Sequence, residues 1–149
     1  MNAVDTNVFV YALDVNEPDK QAKAKKLLVG LAQTSIETLL LWQVAGELLN
    51  WLRKWESADR VSSAGVEAHF WNFLAMFPLV VPSAELFHRY FDLHSRFSLS
   101  HWDSLLLAAY KEAGVTTLFS EDMDPGTDYD GLAIVNPFAR GLKYPCPLA

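Results

Sequence analysis

The sequence predicts an α/β domain built on a parallel sheet with helices covering both faces. Short apolar runs of the buried-strand kind alternate along the chain with longer segments of helical periodicity. The chain has 149 residues, 51% of them hydrophobic and 20% charged. That length suits one domain with a sizeable core and no need of a disulfide or a metal merely to fold.

The elements follow in order. Ala3-Val4 is a first strand, cut off at Asp5 by a helix beginning at Thr6. Residues 18–31 form a helix, with Ala24, Leu27, Leu28 and Leu31 on one side and Lys20, Lys23 and Lys26 on another. Residues 36–42 read as a buried strand. From 43 to 55, Val44, Leu48, Trp51, Leu52 and Trp55 make a helical stripe. Residues 66–77 are a second aromatic helix ended by Pro78, and 79–81 a short strand closed by Pro82. Ser83 caps a helix reaching Phe97, and Ser100 caps another over 101–113, stopped by Gly114. Residues 115–119 and 132–135 are the last strands. No repeat or Gly/Ser linker divides the chain, so residues 1–138 are expected to form one domain and 139–149 a Pro-rich tail.

The only cysteine, Cys146, lies in that tail, which points to a reducing compartment. No secretory signal opens the chain. Its most apolar stretch, 39–52, is interrupted by Gln43, Glu47 and Asn50 and is too short to span a bilayer. The expectation is a soluble, cytoplasmic protein with no membrane partner.

A formal charge of −6 argues against a protein that grips nucleic acid through its overall field. Nucleic acid stays open if part of the acid excess forms a cation-binding site. In parallel sheets, ligands bind beyond the carboxyl ends of the strands. Asp5 follows the first run, and Glu47 lies one turn into the helix after the second. Asp103 opens the helix leading to the fourth, and Asp122, beside Glu121 and Asp124, follows it. Each has a structural use as well. Asp5 can cap a helix, Asp103 can complete a capping box with Ser100, and the acids from 121 to 130 can form a solvated turn.

Glu47 lies about 40° around its helix from Trp51, at the edge of the apolar stripe. Neither Glu47 nor Asp103 has a basic residue at helical spacing to offset desolvation. No Lys or His stands at these strand ends to take that role. Clustered carboxylates without a counter-charge are driven to protonate, and a hard Mg²⁺ or Mn²⁺ ion removes the conflict. Such a site suits phosphodiester hydrolysis. A phosphoaspartate mechanism would want an acid where Asn7 stands, and a supporting Lys.

Four motifs in order carry a resemblance. They are Asp5-Thr6-Asn7-Val8-Phe9-Val10-Tyr11-Ala12, then Glu47, then Leu99-Ser100-His101-Trp102-Asp103-Ser104-Leu105-Leu106-Leu107-Ala108-Ala109, then Ser120-Glu121-Asp122-Met123. Together they resemble a PIN domain, in particular the VapC-type ribonuclease toxins of prokaryotic toxin–antitoxin pairs. The resemblance runs from about residue 2 to Phe138. It implies a PIN-like sheet of about five parallel strands and Mg²⁺- or Mn²⁺-dependent cleavage of single-stranded RNA. It further implies that Asp5, Glu47, Asp103 and Asp122 are the acidic metal ligands, with Asp124 a further acid of second rank. Thr6, Asn7 and Ser120 would support them by hydrogen bonds. A cognate antitoxin and a homodimer are the partners it implies. The alternative is a non-catalytic PIN-like module that binds RNA or protein and keeps its acids for caps and turns.

Other features have plainer uses. Arg89, Asp92 and Arg96 form an exposed ion-pair ladder. Lys20, Lys23, Lys25 and Lys26 are the wet side of a helix, and His101 is a helix-start histidine with no catalytic role. Trp51, Trp55, Phe70, Trp71, Phe73 and Phe77 belong mostly to the core. The surface around Trp51, Trp55 and Trp71 is expected to meet an antitoxin helix or a second protomer.

Overall fold

Runs of two to four residues are too short to hold an extended conformation alone in water, so each strand depends on its neighbours. The computed structural model describes residues 1–141; the tail beyond, with Cys146, lies outside the described residues. The order of elements is β1 (Asn2–Val4), α1 (Thr6–Leu13), α2 (Pro18–Gln33), β2 (Thr38–Leu41), α3 (Trp42–Ser57), α4 (Ser63–Met76), β3 (Leu79–Val80), α5 (Leu86–Arg96), α6 (His101–Glu112), β4 (Thr117–Phe119) and β5 (Ala133–Val135). All strand pairings are parallel, in the order β3-β2-β1-β4-β5. This is the α/β architecture expected, with five strands.

Right-handed crossovers place α1 to α4 on one face of this sheet, because the chain steps outward from β1 to β2 to β3. The return to β4 on the far side of β1 puts α5 and α6 on the opposite face. The central strands are therefore covered twice: Ala3, Val4 and Leu39 to Leu41 are all buried. Phe9 of α1 meets Phe73 and Phe77 edge to face at centroid distances of 4.9 and 6.0 Å, which ties the aromatic helix α4 into the core. Trp55 joins that core, whereas Trp51 and Trp71 are exposed. The expected aromatic surface thus loses Trp55, whose position in α3 turns it inward beside Leu52 and Leu48.

Several boundaries differ from expectation. The second aromatic helix starts at Ser63, capped by Ser62, rather than at 66. The third strand ends at Val80 and the fourth begins at Thr117. Two further differences have local reasons. The second strand is shorter than 36–42, since Ile36 and Trp42 are exposed and Trp42 already begins α3. The helix expected to start after Ser83 begins at Leu86. Ser83 is tethered instead to the end of α6, donating through its backbone N–H (3.1 Å) and its hydroxyl to Glu112. Its carbonyl then accepts from Leu86 in a turn that precedes the helix.

The long segment between β4 and β5 is pinned from α5 and α6. Arg96 pairs with Asp92 at 2.6 Å and with Asp130, and Lys111 donates to the carbonyls of Tyr129 and Asp130. The ladder expected on α5 is therefore Asp92–Arg96 extended to Asp130, and Arg89 is not part of it. None of the described helices is long and apolar enough to cross a membrane.

Thr38 Oγ1 is the one buried side-chain polar atom without a hydrogen-bond partner among the described residues. Thr38→Val keeps the β-branched shape and removes that orphan. It is expected to raise unfolding stability by about 1 kcal/mol in urea titration, with an unchanged m-value.

Candidate active site

Because β1 lies between β2 and β4, the chain leaves β1 toward one side of the sheet and returns on the other. A crevice opens at such a switch point, beyond the strand ends. Here it is a cleft of about 530 Å³. Asp5 forms its floor. The Gln43–Glu47–Trp51 row of α3, spaced i, i+4, i+8, makes one wall, and Trp102, Asp103 and Leu106 of α6 another. Asn7 and Tyr11 of α1, with its C-cap Asp14 and Glu17 after it, continue the lining, and Asp122 and Met123 close the end beyond β4.

Asp5 is the N-cap of α1, its Oδ1 accepting from the Thr6 N–H at 2.7 Å. Its Oδ2 accepts from Ser120 Oγ at 2.7 Å, which joins the ends of β1 and β4. Asp5 is only 8% exposed, and burial pushes its carboxyl above the ordinary carboxylate value. The Ser120 and Thr6 bonds pull it back, while the charges of Glu47 and Asp122 push it up again.

The other acids are oriented by neutral donors. Glu47 Oε2 accepts from Thr6 Oγ1 at 2.8 Å and Oε1 from Gln43 Nε2 at 3.4 Å. Asn7 Nδ2 donates to Asp122 Oδ2 at 3.0 Å and reaches Asp5 Oδ2 at 3.5 Å, so a partly positive amide stands between two carboxylates. Ser120 Oγ also accepts from the Asp122 N–H at 3.2 Å. Asp103 donates its N–H to Ser100 Oγ at 3.1 Å, but its carboxylate does not complete the capping box. Those oxygens are without a hydrogen-bond partner among the described residues.

None of Asp5, Glu47, Asp103 and Asp122 makes an ion pair among the described residues. The four share one cleft, yet they do not meet at a point. Among the described residues, no three His, Cys, Asp or Glu side chains stand close enough together to hold a metal ion. Asp5, Glu47 and Asp122 are each held by their own donors, and like charges repel. The donor set itself, all oxygen and without a neutralising cation, fits a hard divalent ion. Glu47 is exposed and Asp103 half-buried, so the desolvation expected of them falls on Asp5 instead. Asp124 lies in an adjoining depression that shares Asp103 and Asp122 with the main cleft.

A lysine does stand at a strand end, contrary to expectation. Lys20 Nζ pairs with Glu121 at 2.5 Å, bonds Tyr11 Oη at 3.1 Å and lies 4.4 Å from the Tyr11 ring centroid. The Glu121 bond, above all, raises its pKa. Lys20 thereby neutralises Glu121 and leaves Asp122 as the acid facing the cleft. Sequence reading assigned no place here to Tyr11, Asp14, Gln43 or Trp102. The helical spacing Asn7, Tyr11, Asp14 and the row through Gln43, Glu47 and Trp51 were the available signals.

The PIN-domain family model matches residues 3–126. No match to the sequence is found among curated proteins. Three solved structures share the fold. One is VapBC2 from Rickettsia felis bound to a DNA fragment from its promoter, 16% identical with a TM-score of 0.65, covering 91% of this chain and 97% of that one. VapC20 from Mycobacterium tuberculosis, a sarcin–ricin loop cleaving toxin, is 18% identical with a TM-score of 0.59, covering 83% and 92%. A toxin–antitoxin complex from Klebsiella pneumoniae is 16% identical with a TM-score of 0.64, covering 93% and 98%.

Because the pKa of Asp5 is raised above its ordinary value of 3.8, its ionisation opposes folding. That penalty is absent below the ordinary value and complete above the raised one. Asp5→Asn retains an N-cap and removes the charge. In metal-free buffer it is expected to melt above the wild type at neutral pH, with the gap narrowing as pH falls through the raised pKa. Thermal unfolding across pH measures this.

Proposed function

This chain belongs to the PIN-domain family, and from that premise we propose that it is a divalent-metal-dependent endoribonuclease cutting single-stranded RNA, the toxin of a toxin–antitoxin pair. The observation that carries this reading is one cleft lined by Asp5, Glu47, Asp103 and Asp122 with no ion pair to any of them among the described residues. Carboxylates crowded without counter-charge are a standing electrostatic cost that a doubly charged cation reverses.

Asp5, Glu47, Asp103 and Asp122 would hold Mg²⁺ or Mn²⁺, with Asp124 in a secondary role. When bound, the ion supplies positive charge to the scissile phosphate and makes a water acidic enough to act as nucleophile near neutral pH. The chain's own groups set the geometry. Ser120 and the Thr6 N–H fix the Asp5 carboxylate, Thr6 and Gln43 aim Glu47, and Asn7 aims Asp122. Asp103 alone among the four has both carboxylate oxygens without a hydrogen-bond partner among the described residues.

This reading assigns the protein to the cytoplasm, with an antitoxin as its partner and a homodimer as its assembly. Support for the partner is the likeness to toxin–antitoxin complexes. Trp71, 57% exposed on α4 and outside the cleft, is the member of the expected aromatic surface left for such a contact.

Asp5→Asn and Asp103→Asn are each expected to abolish cleavage of a single-stranded RNA in Mg²⁺ or Mn²⁺ while circular dichroism stays native. Mn²⁺ at about 100 times its Kd should stabilise the wild type by about 2.7 kcal/mol, and Asp5→Asn far less. Full cleavage in excess EDTA, or by either variant, would overturn the mechanism. A wild type that neither cleaves nor gains stability with Mn²⁺ would be a binding module.

A further inference from the structure

We infer that Trp51 and Trp102 are stacking platforms for unpaired bases of the RNA, one on each wall of the acidic cleft. The inference rests on the ribonuclease reading and names the side chains that hold its substrate. Both indoles line the cleft that Asp5, Glu47, Asp103 and Asp122 line, Trp51 from α3 and Trp102 from α6. They remain 43% and 66% exposed, although α3 and α6 each bury several other apolar side chains. Neither indole is needed to seal the core.

Each ring is braced. Lys54 Nζ lies 5.0 Å from the Trp51 ring centroid. The His101 ring meets Trp102 edge to face at 4.7 Å, and His101 Nδ1 is itself hydrogen-bonded to Tyr90 Oη at 2.8 Å. A braced ring loses little rotamer freedom when a ligand settles on it.

The charge of the cleft says why stacking is required. Asp14 and Glu17 add to the four acids of the lining, and among the described residues only Asp14 of these six is neutralised, by Arg60 at 2.8 Å. Phosphates gain nothing from such walls beyond what a bound cation supplies, so affinity has to come from contacts that carry no charge. A base offers a flat π-face to an indole, and that contact tolerates any sequence. In a duplex the same face is covered by its neighbours, which makes the preference one for single strands. An apolar protein surface pressed against these indoles would have to desolvate the carboxylates beside them.

The test is steady-state cleavage of a single-stranded RNA oligonucleotide by wild type, Trp51→Ala, Trp102→Ala and the two Phe variants. Each Ala variant is expected to raise KM about tenfold and to lower kcat much less, with Phe recovering most of the loss. Abasic residues beside the cleavage point should raise the wild-type KM to the Ala value and leave the Ala variants nearly unaffected. An Ala variant that cannot fold is replaced by its Phe counterpart in the same abasic comparison. If wild type cleaves and the variants keep its KM, the platforms are refuted while the ribonuclease reading stands. If wild type cleaves nothing in Mg²⁺ or Mn²⁺, that reading fails, and equilibrium binding of the oligonucleotide decides the platforms. Weaker binding by both Ala variants supports them, and binding equal to wild type, as for indoles that serve a protein partner, overturns them.

Discussion

A carboxylate at the end of a doubly covered strand has to be held by groups that do not cancel its charge if that charge is to serve a ligand. Asp5 is held in this way. Its partners are a backbone N–H, a serine hydroxyl and, at longer reach, an amide. Burial and the nearby charges of Glu47 and Asp122 work against ionisation. The helix start that Asp5 caps and the junction of β1 with β4 that Ser120 makes through it are therefore tied to the electrostatics of the cleft. One side chain serves the fold and, on the proposed function, would also favour the binding of a cation.

Elsewhere in the molecule some of the acids do find a cation. Glu121 is paired with Lys20, Asp14 with Arg60, and Asp92 and Asp130 with Arg96. Those pairs are partly exposed, and individually they add little to stability. Their effect is placement: Lys20 takes up Glu121, and Arg96 with Lys111 anchors the loop that follows. Asp122 is left facing the cleft between these two attachments, oriented by Asn7. The net charge of −6 thus includes four cleft acids that have no ion pair among the described residues.

A polyanion approaching such a cleft meets repulsion from the protein and attraction only through what the carboxylates bind. On the ribonuclease reading proposed above, recognition would be divided between a cation for the phosphate and uncharged surfaces for the bases. Aromatic walls beside an acidic floor meet that requirement without adding basic residues, which would otherwise pair with the acids and disable them.

The sequence by itself determined the alternation of buried strand and amphipathic helix and the positions of the acids after the strands. These are local properties, set by apolar periodicity and by caps such as Asp5 and Ser100. It also carried the family resemblance, through motifs in a fixed order. Tertiary structure alone decided which acids lose their water and which find a cation. Glu47 turned out exposed and Asp5 buried, because burial depends on what other segments lay over a residue. Lys20 reached Glu121 across 101 residues of chain, a contact that no helical spacing encodes. The same holds for the four carboxylates sharing a cleft without converging, and for Trp51 and Trp102 facing it rather than the core. Where a side chain points is read from its own helix; what stands opposite depends on strand order, and strand order is settled only when the sheet assembles.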